Sequence, residues 1–200
     1  MRGLQAAGGT QIAGSETTGL APVTVWSLVI GIGALGLIID QVSKAAMLSW
    51  LDPAHPVPLL GNLVTLQLLR NSGAAFSMGE GLTVGLTIIS ILALVGVLAW
   101  FVPKVRHIGW TVGMGLLVAG ISGNLTDRLF REPGPFQGHV IDFIQVPYFA
   151  VFNFADICIT AAAVVVIWLT LLTKVGFDGV AFADAETEAE ARRAARHEDE

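Results

Sequence analysis

The sequence predicts a membrane all-α protein: a bundle of four transmembrane helices with a small β-sheet subdomain and a loop on its outer (periplasmic) face. Three observations predict it. Only 14% of the 200 residues are charged and 54% are hydrophobic, whereas a soluble domain carries about a quarter charged residues. Four stretches of 17 to 23 residues hold no Asp, Glu, Lys or Arg, and a spanning helix needs about 20 mostly apolar residues, within a range of roughly 17 to 25. Finally, every acid between the two tails stands at the end of such a stretch or in a segment joining two of them. The net charge of −5 belongs to the C-terminal tail, because residues 1–176 balance eight acids with eight bases. The net charge therefore says nothing about a basic or acidic partner for the body, and no nucleic-acid partner is expected.

Residues 1–22, rich in Gly, Thr and Ala, read as a disordered N-terminal tail. The first span covers about 23–40. Arg2 is the lone base ahead of it, and no small-x-small site follows Ile39, so it reads as an uncleaved helix rather than a signal peptide. In the outer segment 41–80, NLVTLQLL is partly alternating and Gly61-Asn62 offers a turn, which predicts a small sheet. Spans two and three cover about 82–102 and 108–126. The short loop PKVRH between them holds Lys104 and Arg106, and Lys174 follows span four. The positive-inside rule then puts both termini in the cytoplasm. Residues 127–150 return to the outer face, first as the turn-rich REPGPFQGH and then as VIDFIQVPYFAVFN, which reads as extended along the interface. Span four covers about 154–173, and 176–200 is an acidic cytoplasmic tail, so the working domain is 23–175. Cys158, the single cysteine, reads as a small packing residue.

The polar residues each carry two readings. Asp40 and Lys44 in DQVSK are four apart and face each other on a helix, as an ion pair that pins the helix end or as part of a site. In RNSGAAFS, Asn71 offers a donor and an acceptor, while Gly73, Ala74 and Ala75 allow close backbone approach. The same residues also suit a plain turn before a helix. Gly115, Gly120 and Gly123 suit close helix packing. Beside them, Asn124 and Asp127 share a helix face, and Arg128 follows.

Asp142, in VIDFI, and Asp156, in FNFAD, stand beside the fourth apolar span. A carboxylate near hydrocarbon costs several kcal/mol, roughly, and marks a function by default. A first-turn acid also complements a helix dipole, which is the plainer reading of Asp156. Chemistry narrows the choice. No HExxH or paired His is present, and two carboxylates alone hold a hard ion weakly. Two close carboxylates do share a proton, one acting as base and the other as acid, without metal or cofactor. Asp127 is the rival for a place in such a pair. An ion-coupled transporter using the same carboxylates is the alternative, and a structural membrane partner with helix-locking polar residues is a further one. The absence of an internal repeat and the gathering of acids at one surface count against the transporter.

Together DQVSK, RNSGAAFS, GNLTDR, VIDFI and FNFAD, in this order among four spans, resemble the lipoprotein signal peptidase family (signal peptidase II), over about residues 23–175. The resemblance implies an aspartic endopeptidase of the bacterial inner membrane. Such a hydrolase removes signal peptides from diacylglyceryl-modified prolipoproteins, cutting just before the lipid-modified cysteine. It implies Asp142 and Asp156 as the catalytic pair, with Asp40, Lys44, Asn71, Gly73, Asn124, Arg128 and Asn153 as supporting or substrate-binding residues and Asp127 as structural. It implies no metal, and a site near the outer face whose partners are prolipoprotein signal peptides and membrane lipids. A monomer suffices. The sheet of residues 57–70 and the REPGPFQGH loop are placed to cradle or cover a substrate. Two departures stand out: Ala119-Gly120 replaces the family's double glycine, and the spacing from Asp127 to Asp142 is long while that from Asp142 to Asp156 is short.

Overall fold

The computed structural model describes residues 19–61, 63–73, 79–183 and 187. The expectations for the N-terminal tail up to residue 18, for Asn62, for Ala74 and Ala75, and for most of the acidic tail lie outside these residues.

Four helices are long and apolar enough to cross a membrane. Helix α1 spans Pro22–Trp50, with proline in its first turn, where its fixed φ suits the helix and its missing N–H costs nothing. It continues ten residues beyond Asp40, so the polar DQVSK turn lies within the helix rather than at its end. Helix α2 (Gly79–Gly96) extends through a π turn (Val97–Phe101) and a 3-10 turn (Val102–Lys104) at Pro103. Helix α3 spans Ile108–Phe130, and α4 spans Phe154–Ile167 before a π turn to Thr173.

Helix α3 is the hub, packed against α1, α4 and α2, and small residues explain why it can be. A Cβ added at Gly115 would lie 2.8 Å from the Ile32 side chain of α1, and one at Gly120 would lie 2.5 Å from the Ala155 carbonyl of α4. One at Gly123 would meet Asp40 Oδ2 at 2.7 Å. The departure at Ala119 has a matching cavity in α1, because a Cβ at Gly36 would meet the Ala119 methyl at 2.5 Å. At Gly120 the obstacle is backbone, which cannot swing aside. Gly120→Ala is therefore expected to separate α3 from α4 and cost about 1–3 kcal/mol, read as a lower thermal midpoint in detergent.

At the other end of the bundle Val25, Val29, Val102, Trp110, Met114 and Leu169 form one core cluster. The chain beyond span four closes it. Lys174 takes a left-handed conformation (φ 52°), Val175 bridges to Ala181, and the Phe177 ring sits 4.3 Å from that of Trp110. The Trp110 indole donates to the Val175 carbonyl at 3.0 Å. The residues that follow Thr173 thus fold back on the helix ends, because Phe177 has an aromatic surface to cover.

The small sheet has the order β1-β2-β3, with β1 at Val57–Pro58, β2 at Thr65–Asn71 and β3 at Val140–Gln145, all antiparallel. Here the structure differs from the expectation for VIDFI. It is extended, as expected, but as a paired strand, β3, which sets Leu69 against Asp142 and Asn71 against Val140. Val140, Ile141, Asp142 and Phe143 are all buried, and Ile141 and Phe143 join Leu51, Leu66 and Leu68 in a second core cluster. A strand buried on both faces reads as a continuous apolar run, which hides its pairing partner from the sequence.

Candidate active site

Helices α1, α3 and α4 and the sheet deliver the polar residues to one end of the bundle. The turns of α1 that carry DQVSK bring Asp40, Gln41 and Lys44, all but Gln41 fully buried. The last two turns of α3 bring Asn124, Asp127 and Arg128. The sheet and the start of α4 bring Asn71, Asp142, Asn153 and Asp156.

Lys44 is a buried ammonium with three acceptors for its three protons: Asp40 Oδ2 at 2.8 Å, Asp127 Oδ2 at 2.7 Å and Asn124 Oδ1 at 3.0 Å. The spacing of Asp40 and Lys44 is thus a real contact, and it ties α1 to α3. The second oxygen of Asp40 accepts the Ala155 N–H at 2.9 Å, so the same carboxylate also holds the start of α4. Asp127 is fully occupied. Besides Lys44 it receives Arg131 Nε at 2.5 Å, Gln41 Nε2 at 3.3 Å and, through Oδ2, the Ile141 N–H of β3 at 3.2 Å.

Asp142 and Asp156 are joined by amides whose orientations the network fixes. Asn153 caps α4 in a reciprocal capping box: its Oδ1 accepts the Asp156 N–H at 3.1 Å, and Asp156 Oδ2 accepts the Asn153 N–H at 3.1 Å. Its Nδ2 is therefore free to donate to Asp142 Oδ1 at 2.6 Å and to Asn124 Oδ1 at 3.1 Å. With Asn124 Oδ1 taken by Lys44 and Asn153, Asn124 Nδ2 donates to Asp156 Oδ1 at 2.8 Å. Asn71 Oδ1 accepts the Gly73 N–H at 2.8 Å, which turns its Nδ2 onto Asp142 Oδ2 at 2.8 Å. Gly73 has φ 81°, a left-handed conformation that favours glycine. Arg128 donates to the Asn124 carbonyl at 3.3 Å, while its buried Nε has no hydrogen-bond partner among the described residues.

Asp142 is 2% exposed. Burial pushes its carboxyl up to about 6, assisted by the charge of Asp156 and opposed by the amides of Asn71 and Asn153 and by the Lys44 ammonium. Removing one of those amides has a predictable sign. Asn71→Ala takes away a hydrogen bond that favours the ionised form, so Asp142 should hold its proton to higher pH. A net hydrogen bond is worth about 0.5–1.5 kcal/mol, which moves a titration by up to about one pH unit. The shift is measurable by NMR of the carboxyl carbon across pH 4 to 9.

All the sequence-predicted residues converge here. His139 makes no contact with Asp142 that would neutralise it; its N–H reaches the Glu132 carbonyl at 3.0 Å. Two contributors escaped the sequence reading, Gln41 and Arg131. Arg131 lies four residues after Asp127, a helical ion-pair spacing that would have pointed to it. Beside the site, an apolar cavity of about 750 Å³ opens along α4, with Asp156 in its wall.

Four membrane-length helices and an amide-bridged carboxylate pair, Asp142 buried and Asp156 half-buried, define a multi-span membrane protein with a built polar centre. The family profile described as Signal peptidase (SPase) II matches residues 32–172, and the chain belongs to that peptidase family. The lipoprotein signal peptidase of Mycobacterium avium (strain 104) is 41% identical over 151 residues, covering 76% of this chain and 81% of its own. That of Leifsonia xyli subsp. xyli (strain CTCB07) is 43% identical over 143 residues, covering 71% and 65%. A solved bacterial membrane enzyme is similar with a TM-score of 0.64 and 25% identity, covering 78% of this chain and 97% of its own. The transporter alternative finds no support in these likenesses.

Proposed function

We propose that this enzyme removes the signal peptide from prolipoproteins, cutting before a diacylglyceryl-modified cysteine with water activated between Asp142 and Asp156. The carrying observation is that one side chain engages both carboxyls: Asn153 Nδ2 donates to Asp142 Oδ1 at 2.6 Å, while Asn153 Oδ1 accepts the Asp156 N–H and Asp156 Oδ2 accepts the Asn153 N–H. Neighbouring carboxyls that share one proton supply an acid and a base at the same centre.

Asp142 is the member with the raised proton affinity, pushed up to about 6 chiefly by burial. Asp156 stands in the first turn of α4, where the helix N-terminus suits negative charge. In the reaction, ionised Asp156 takes a proton from water as its oxygen bonds to the scissile carbonyl carbon. Asp142 gives its proton to the carbonyl oxygen. The tetrahedral intermediate then collapses: the C–N bond breaks, Asp156 passes its proton to the leaving amine, and Asp142 recovers one from the hydroxyl. Both carboxyls return to their starting state. Asn153 and Asn124 hold the pair at fixed spacing throughout, and the Arg128 guanidinium is available to substrate carbonyls or the lipid-bearing residue.

The bundle is taken to sit in the bacterial inner membrane with both termini cytoplasmic and this end outward, since Lys104, Arg106 and Lys174 gather at the opposite end. Residues 23–175 form the working unit, and a monomer suffices. The test is cleavage by the purified protein of a diacylglyceryl-modified prolipoprotein and its unmodified counterpart, with products read by mass spectrometry. A single cut before the modified cysteine, absent from the unmodified substrate and unaffected by chelator, is expected. No cut, or an equal cut of both, would overturn the proposal.

A further inference from the structure

The hydroxyls of Thr87, Ser90, Thr111, Thr126 and Thr173 each donate to the carbonyl four residues back in their own helix, the local bond that serine and threonine make within helices. Thr83 differs. It lies in the second turn of α2, is 3% exposed, and donates out of its helix to the Ser72 carbonyl at 2.7 Å. Leu86, on the same face one turn on, fills the place that a Cβ at Gly73 would take. Two side chains of α2 thus meet the turn that follows β2, and Asn71 is the last residue of that strand.

We propose that Thr83 is a positioning residue for the reaction, acting on Asp142 through a single peptide plane and the Asn71 amide. The inference rests on the peptidase reading above and adds to it a residue outside the five motifs. The carbonyl of Ser72 and the N–H of Gly73 belong to one rigid, planar peptide group. Thr83 holds its carbonyl end, and Asn71 Oδ1 accepts from its N–H end at 2.8 Å. With Oδ1 so engaged, the other end of the Asn71 amide, Nδ2, donates to Asp142 Oδ2 at 2.8 Å. A bond to the carbonyl also polarises the peptide and strengthens its N–H as a donor. Glycine at 73, with φ 81°, lets this plane rotate, so the Thr83 hydroxyl supplies a restraint that the turn's own backbone does not. The charged groups that face Asp142 are Asp156 from α4, Lys44 from α1 and Arg128 from α3. Thr83 acts through none of them, which makes its effect separable.

The test is an NMR titration of the Asp142 carboxyl carbon in detergent, beside the pH profile of kcat/KM on a diacylglyceryl-modified prolipoprotein. Thr83→Val keeps the volume and removes the hydroxyl. It should raise the Asp142 midpoint by up to about one pH unit, the limit set by full loss of the Asn71 hydrogen bond, and carry the falling limb of the profile with it. Thr83→Ser, which keeps a hydroxyl, should hold the wild-type midpoint. In an Asn71→Ala background Thr83→Val should shift the midpoint no further, because the route is already cut. Thr87→Val removes a neighbouring buried hydroxyl that reaches the Phe136 carbonyl at 2.9 Å, and should leave the midpoint in place. If Thr83→Val does not fold, Thr83→Cys, similar in volume and a weak donor, carries the same prediction. An unmoved midpoint in the hydroxyl-free variant, an added shift on top of Asn71→Ala, or an equal shift in Thr83→Ser or Thr87→Val would overturn the inference. Failure of the wild type to cut the prolipoprotein would instead overturn the peptidase reading, and the NMR midpoints would still judge the link from Thr83 to Asp142.

Discussion

Asp142→Asn and Asp156→Asn are each expected to lower the cleavage rate by about 10² to 10⁴, the usual worth of a positioned proton donor or acceptor, and to leave the protein folded. Asn at 142 cannot supply the acid proton, and Asn at 156 cannot take one from water. For the proposed pair acting as a unit, the double variant should be scarcely slower than either single one. The fold should survive because neither carboxylate makes an ion pair: Asp142 and Asp156 are held by amides and backbone. Thermal melts even carry a sign. Folding raises the proton affinity of Asp142, so this group favours the folded state as pH falls through about 6 and opposes it above. Asp142→Asn removes that opposition. The melting temperature of the variant minus that of wild type should therefore be more positive at pH 8 than at pH 5.

Asp127→Ala should do the reverse, costing stability first. It strips Lys44 of one of its two carboxylates, leaves Arg131 without its ion-pair partner and leaves the Ile141 N–H of β3 without an acceptor. Removing one member of a buried ion pair costs about 3–5 kcal/mol, since an uncompensated charge stays behind. A fall of several degrees in the detergent melt is expected, and β3, carrying Asp142, loses its anchor to α3. Activity should fall with stability. Asp127→Glu, which keeps the charge, should recover part of both, whereas a fully folded and inactive Asp127→Ala would mean that Asp127 belongs to the chemistry.

The contrast shows what the chain discloses locally. The four spans were legible because hydrocarbon imposes a length and a composition on each helix. The Asp40–Lys44 pair was legible because four-residue spacing is a contact in any helix, and the Asn153–Asp156 capping box is equally local. Which acid faces which partner was not. Asp127 and Asp142 are both acids at a membrane surface in the sequence. Position alone does not distinguish them. The contacts do, with Lys44 reaching Asp127 from α1 and Arg131, the residue after α3, turning back to it. Helix α3 runs four residues beyond the span end placed at 126. Gln41 sits one residue from Asp40, about 100° round the helix, so its reach to the Gly123 carbonyl at 3.1 Å follows from the closeness of α1 and α3. The strand at VIDFI stayed hidden for the same reason. Its partner, β2, lies some seventy residues earlier, at Leu69 and Asn71.

In the proposed reaction two carboxylates share one proton at this site and work as acid and base. The measurement that tests it most directly is the pH dependence of kcat/KM on a diacylglyceryl-modified prolipoprotein, with the enzyme held in chelator. A bell is expected, with the falling limb set by loss of the Asp142 proton near pH 6 and moved to higher pH by Asn71→Ala. A rate that climbs to a plateau and stays level to pH 9 would contradict the shared proton.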